Sequence, residues 1–331
     1  MNRRALIAVT GLLLSWTYAG KAQEDLARQL SKVAHQNAVG YLSPLLSAWG
    51  ADLNSGVYHS ADLHEVLGFD IGFKVGAVIV RDEDKVFDLV LPDQVSFSYA
   101  GNRYTLTAGV DYDRKITGAP TALGDPTGKE VKVSQTSPLV PLRGQTIFRS
   151  PGGFAMRYVP LMIPQAAIGL PFGLEVIGRF VPNVTLTSDA GKVNFIGFGI
   201  RHNLDQYFPL MPVDLSVHFM SQKLTISDMN DNKIIGASGI AYGLEVSKNL
   251  VFLTVYGGYQ IEKSTWNVEP YKYADPSLGA TVDIGGFTVE GKNTSRLHAG
   301  VRMLFAVVNL HADYSFATQP VLTVGVGVSL R

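Results

Sequence analysis

The chain has 331 residues, a hydrophobic fraction of 46%, 34 glycines, no cysteine and a formal net charge of +0. No run of about 20 apolar residues occurs beyond its first residues, which excludes a helical membrane protein. The lack of cysteine excludes disulfides, thiolate chemistry and a lipidated N-terminal cysteine, and the balanced charge leaves no nucleic-acid footprint.

Residues 1–22 read as a secretory signal. Arg3 and Arg4 give the positive start, Ala5 to Ala19 the apolar core, and Gly20 and Ala22 the small residues before cleavage between Ala22 and Gln23. Residues 23–66 then read as a short helical plug or cap. Gln23 to Ala38 has a helical pattern, with Leu26, Leu30, Val33 and Ala34 on one face. Pro44, Gly50 and Gly56 predict an irregular stretch from Tyr41 to Asp62. Tyr41, Leu45, Leu46, Trp49 and Tyr58 need burial, which favours a plug or cap over a free tail.

Residues 67–331 carry the period of two that marks strands. The first is Phe69 to Val80, with Phe69, Ile71, Phe73 and Val75 opposite Asp70, Gly72, Lys74 and Gly76. A lysine and an aspartate on one face require water or a partner there. Residues 81–164 read as a long loop with strand-like pieces at Val86 to Leu91 and Gln94 to Gly109. Within it, Asp111 to Gly144 is rich in turn formers, and Pro151, Pro160 and Pro164 argue against central sheet.

Alternation returns from Gln165 as a single segment, with Ile168, Leu170, Phe172, Leu174 and Val176 opposite Gly169, Pro171, Gly173, Glu175 and Ile177. It continues in Asn194 to Arg201, Val213 to Met220, Ile240 to Ser247 and Leu253 to Glu262. A second long loop spans 263–296. Leu297 to Phe305, Val308 to Phe316 and Val321 to Arg331 close the chain. In the last, Leu322, Val324, Val326 and Val328 oppose Thr323, Gly325, Gly327 and Ser329. Segments of about 9–11 residues with one greasy face suit a membrane crossing, whereas sandwich strands average about 5–6.

The predicted fold class is all-β, a transmembrane antiparallel β-barrel of roughly 10–12 strands with an N-terminal helical plug or cap. The strand count requires one or three strands inside 81–164. Counting strands back from the end puts Asn203 to Pro212 among the short turns, where ten residues with Tyr207, Phe208 and Leu210 fit poorly. The predicted lumen-lining residues are Glu175, Arg179, Arg201, Asp214, His218, Glu245, His298, Arg302, His311 and Asp313. Mid-membrane charge at Val326 is expected to cost more than charge at inward Thr323.

No catalytic motif is present: neither a Gly-x-Ser-x-Gly elbow nor a His-Glu-x-x-His helix occurs, and Ser216 with His218 is only an inward pair two residues apart. No cofactor is implied, and no nucleic-acid partner.

Several segments carry a resemblance. They are Tyr41-Leu42-Ser43-Pro44 with Leu53-Asn54-Ser55-Gly56, Pro120-Thr121-Ala122-Leu123-Gly124, Gln165 with Gly169-Leu170, Arg179-Phe180-Val181-Pro182, and Gly197-Phe198-Gly199-Ile200-Arg201-His202. In these the chain resembles uncharacterised outer-membrane barrel proteins of Bacteroidota grouped as a domain of unknown function. The resemblance implies location and fold and brings no substrate or catalytic residues. A short N-terminal segment before a barrel also looks, in architecture, like plugged transporters of fatty acids and other hydrophobic compounds.

The expectation is an exported, monomer-capable barrel in the bacterial outer membrane, in contact with its lipid. Passive uptake of small solutes, hydrophobic ones included, is the first reading of function. A structural or interaction barrel with a filled lumen, binding through its outer loops, is the second.

Overall fold

The computed structural model describes residues 21–187, 191–208, 210–275 and 280–330. The predicted export signal lies almost wholly outside the described residues, and the cleavage point between Ala22 and Gln23 falls inside a helix. The chain divides into two compact units.

One unit comprises 46–80, 158–267 and 288–331. It is a closed antiparallel barrel of ten strands: β1 (Phe69–Ile79), β2 (Tyr158–Leu170), β3 (Leu174–Thr187), β4 (Gly191–Asn203), β5 (Asp214–Ser227), β6 (Lys233–Leu250), β7 (Leu253–Val268), β8 (Ser295–Phe305), β9 (Val308–Phe316) and β10 (Val321–Leu330). Consecutive strands pair, and β10 closes on β1 from Phe69 opposite Leu330 to Val78 opposite Val321. The short strand Phe287–Glu290 pairs with β7 outside this circuit.

The alternation sets the two faces. On β1, Ile71 and Phe73 are exposed, while Asp70 and Lys74 are buried. On β10, Leu322, Val324, Val326 and Val328 are exposed and Thr323 is fully buried. Apolar side chains therefore cover the outside and polar ones fill the inside, as lipid outside a barrel requires.

Residues 81–164 contribute one barrel strand, β2, and not three. Contrary to the expectation from proline, Pro160 and Pro164 sit within β2 opposite Ala77 and Phe73. A proline removes one donor, which is a small loss against the eleven residue pairs joining β1 to β2. The segment read as continuous from Gln165 is a hairpin that turns at Pro171, Phe172 and Gly173. Gly169 pairs with Glu175, and Gln165 with Arg179. Partners lie an even number of residues apart, so the alternation runs unbroken through the turn and hides it.

Four connections, the short 171–173, 251–252 and 306–307 and the longer 204–213, lie at the barrel end where β1 begins. The connections 80–157 and 269–294 join strands at the opposite end.

Ahead of β1 runs one helix, α1 (Lys21–Leu53). The break expected at Pro44 does not occur. Pro44 lies inside the helix, and Ser43 Oγ donates to Val39 O at 2.6 Å beside the lost donor. Gly50 also lies inside it. A Cβ there would collide with Ser264 and Trp266, so this glycine marks a close approach to β7 and not a helix end.

The other described unit comprises the helix up to Leu45, residues 81–157 and the second insertion up to Phe287. Here 81–157 is not an open loop. Val86–Val90 pairs with Lys115–Pro120, Gln94–Tyr99 with Asn102–Thr107, and Glu130–Lys132 with Thr146–Arg149. In the second insertion Tyr271–Asp275 pairs with Ala280–Ile284. Leu89, Leu106, Val131, Leu142 and Phe148 form a core with Ala34 and Ala38 of α1. Asn37 joins the backbone of Val90 like a strand neighbour: its Nδ2 donates to Val90 O at 2.8 Å, and its Oδ1 accepts from Val90 N at 2.9 Å. The stretch from Asp111 to Gly144 looked like surface loop because its core residues, such as Val131 and Leu142, stand singly among turn formers.

Candidate functional site: the lumen and the segment that crosses it

The chain from Ser47 to His64 runs through the barrel interior from the long-loop end to the short-turn end. Ser47 Oγ donates to Gln319 Oε1 at 2.7 Å and accepts from Lys292 N at 2.9 Å, both in long-end connections. Trp49 packs on Trp266 near the end of β7, with ring centroids 5.9 Å apart. Halfway down, Tyr58 OH donates to Gly257 O at 3.0 Å. Further on, Ala61 N donates to Ser247 Oγ at 3.0 Å. At the far end His64 Nδ1 lies 2.6 Å from Glu175 Oε2, and its Nε2 lies 3.0 Å from Ser329 Oγ. Gly76 and Gly258 give this segment room, since a Cβ would strike Asp52 in the first case and Tyr58 OH in the second. Glycine on an inward strand position therefore records the passage of a second backbone.

The end of α1 explains two of the lumen arginines. A helix leaves its last carbonyls unpaired and slightly negative, and the last turn of α1 has no basic residue. The barrel wall supplies the missing charge. Arg296 Nη2 donates to Ala51 O at 2.7 Å while its Nε donates to Glu262 Oε2 at 2.7 Å. Arg179 Nη1 donates to Leu53 O at 2.9 Å and its Nη2 to Ser55 O at 2.8 Å, with Gln165 and Gln222 accepting further bonds.

Below them lies an ion cluster. Arg201 Nη1 donates to Glu175 Oε1 at 2.6 Å, and Nε donates to Glu245 Oε2 at 3.0 Å. Its Nη2 donates to Glu245 and to Ser60 O of the crossing segment. Both carboxylates and the guanidinium are buried. Charges so far from water are stable only because each is paired and hydrogen-bonded. Tyr58 is packed by His218, Tyr256 and His298, and Arg201 lies 5.5 Å from its ring centre. His59 stacks on His311 at 4.6 Å.

The structure brings most of the predicted lumen residues to this crossing segment. Glu175, Arg179, Arg201, His298 and His311 touch it directly. His218 packs on Tyr58, and its Nδ1 lies 2.9 Å from Glu245 Oε1. Asp313 accepts from Tyr256 OH at 3.0 Å, and Arg302 Nη2 lies 3.4 Å from Ser329 Oγ. Asp214 is only half-buried, at the short-turn rim, where it accepts from Ser247 Oγ at 2.8 Å. Ser216 Oγ donates to Glu245 Oε2 at 2.6 Å, so its proton is directed to a carboxylate and not to His218. Among the described residues, no group of three or more histidines and acids is placed to hold a metal.

Sequence reasoning missed His64, Gln165, Gln222, Glu262 and Arg296 as lumen residues. Glu262 and Gln260 follow the inward parity of β7, a signal that was present. Arg296 stood inside the predicted loop 263–296, although β8 begins at Ser295. A cavity with room for about one water molecule remains beside Tyr58, lined by Asp70, Gln165, Arg302 and the crossing segment.

This is an outer-membrane barrel with an apolar exterior and an occupied interior. Among solved structures it is similar to the translocator domain of the autotransporter NalP from Neisseria meningitidis, at 12% identity over 91% of this chain and 97% of that one, with a TM-score of 0.30. It is similar to a loop-deletion form of OmpT of Vibrio cholerae at 11% identity over 79% and 98%, TM-score 0.27. Ail of Yersinia pestis is similar at 9% identity over 81% and 99%, TM-score 0.23. No curated protein matches the chain. The profile of the family of unknown function DUF6588 matches residues 1–330, and the chain belongs to that family.

Proposed function

We propose that the barrel is a closed outer-membrane anchor and that its function is recognition by the unit built from its long insertions. The observation that carries this reading is the filled lumen. Residues 47–64 occupy the interior from end to end, and their backbone carbonyls are held by Arg296, Arg179 and Arg201. Small barrels filled by side chains hold shape and conduct nothing, whereas large porins leave a channel. The first insertion builds a core with Ala34 and Ala38 of α1, and both long connections join barrel strands at the long-loop end. Long loops of such barrels lie outside the cell. No covalent chemistry is involved.

Passive uptake of small solutes, hydrophobic ones included, is the second reading. It is supported by the charged and polar side chains that line the lumen, and it requires residues 47–64 to leave, because the cavity beside Tyr58 is only water-sized.

Planar-bilayer recording separates the two. The refolded chain is expected to show no steady conductance, and a form lacking residues 23–62 should open a path. Steady conductance of the intact chain would contradict the anchor reading and favour uptake.

A further inference from the structure

The short-turn end carries an apolar surface that neither the lumen nor the insertions explain. Periplasmic turns are normally short and polar. Here Phe172 is 86% exposed, Leu210 96% and Val251 93%, with Tyr207, Phe208 and Phe252 exposed beside them in sequence. They come from three connections that follow one another round the barrel, 171–173, 204–213 and 251–252.

Hydrogen bonds tie the 204–213 connection to its neighbours in the barrel. Asn203 N donates to Gly173 O at 2.8 Å, and Gln206 Nε2 donates to Phe172 O at 3.4 Å. His202 Nε2 lies 3.1 Å from Tyr207 OH. Lys248 Nζ donates to Pro212 O. The 204–213 connection is thus pinned to 171–173 on one side and to β6 on the other.

The backbone adds a second observation. Phe172 has φ +67° and Val251 φ +69°, in the left-handed region that suits Gly or Asn and disfavours a β-branched residue most. Bulky apolar side chains held at strained turn tips indicate surroundings that favour them over Asn or Gly.

The surface continues that facing lipid. Ile240, Tyr242, Leu244 and Val246 line the outside of β6, Lys248 follows, and Val251 lies three residues beyond it. A strand rising about 3.3 Å per residue and tilted about 40° advances roughly 2.5 Å per residue along the barrel axis. With Lys248 at the hydrocarbon edge, Leu250 at the end of β6 lies roughly 5 Å beyond it, and the turn at Val251 follows directly, at headgroup depth and not in bulk water. Tyr, His and Lys beside apolar tips are the amphipathic groups suited to that zone.

We propose that these three connections form an apolar foot that inserts into the interfacial zone of the inner-leaflet phospholipid and fixes the barrel's depth and tilt. Because the chain has no cysteine, single labels test this cleanly. Leu210→Cys and Val251→Cys would be spin-labelled in the full chain refolded into phospholipid bilayers, and their collisions with oxygen and with a water-soluble nickel complex compared. Val326→Cys serves as the lipid reference and Asn230→Cys as the water reference.

Oxygen-to-nickel collision ratios several-fold above that at 230, approaching that at 326, are expected at both sites. Ratios equal to that at 230 would overturn the proposal, including the case in which a periplasmic protein covers the foot. If Leu210→Cys does not fold, Phe252→Cys provides the second label.

Discussion

Replacing Arg201 with methionine should destabilise the barrel by about 3–5 kcal/mol, since it leaves two buried carboxylates without their shared cation. Glu175 and Glu245 both depend on this guanidinium, and both are buried to 1% exposure or less. The substitution also frees Ser60 O of the crossing segment. Equilibrium unfolding in urea from detergent micelles, read by the mobility shift of the folded barrel, measures the loss. Combining Arg201→Met with Glu175→Gln and Glu245→Gln should recover much of it, because no unpaired charge then remains. A loss below about 1 kcal/mol, as exposed pairs give, would show that the cluster is open to water.

The second large effect is on the outer face. Val326→Arg should cost about 2–4 kcal/mol at mid-membrane, and Leu330→Arg about 0–1 kcal/mol near the interface. Both side chains face outward on β10, two inward turns of the alternation apart. The difference in unfolding free energy in bilayers therefore reads depth alone. Equal costs at the two sites would contradict the membrane position assigned to β10. Thr323, expected from sequence to accept charge mildly, does not serve as the comparison. It is fully buried against the crossing segment, where its methyl faces Gly56, and a long charged side chain would overpack the lumen.

Much of the barrel was legible because its signal is local. Alternation on β1, β5, β6, β9 and β10 assigns inside and outside residue by residue, and a charged residue among apolar ones marks the lumen. What was hidden has long-range causes. Ser47 meets Gln319, and Arg296 meets Ala51, at separations no sequence window spans. Pro44 and Gly50 looked like helix breakers, yet α1 runs through both because tertiary packing outweighs local preference. The connection from 204 to 213 was the visible misfit, too long and too apolar for a periplasmic turn, and it is the centre of the proposed foot.

The most direct test of the account is whether residues 47–64 lie inside the folded barrel. Ser60 Oγ and Ser247 Oγ are 3.4 Å apart, both buried, in a chain without cysteine. The pair Ser60→Cys with Ser247→Cys should form a disulfide on mild oxidation of the refolded protein, near completion and without loss of fold. The pair Ser60→Cys with Ser238→Cys, in which position 238 is exposed on β6, should not. Failure of the first pair to join in folded protein would show that the segment does not cross the lumen, and the closed-anchor reading would fall with it.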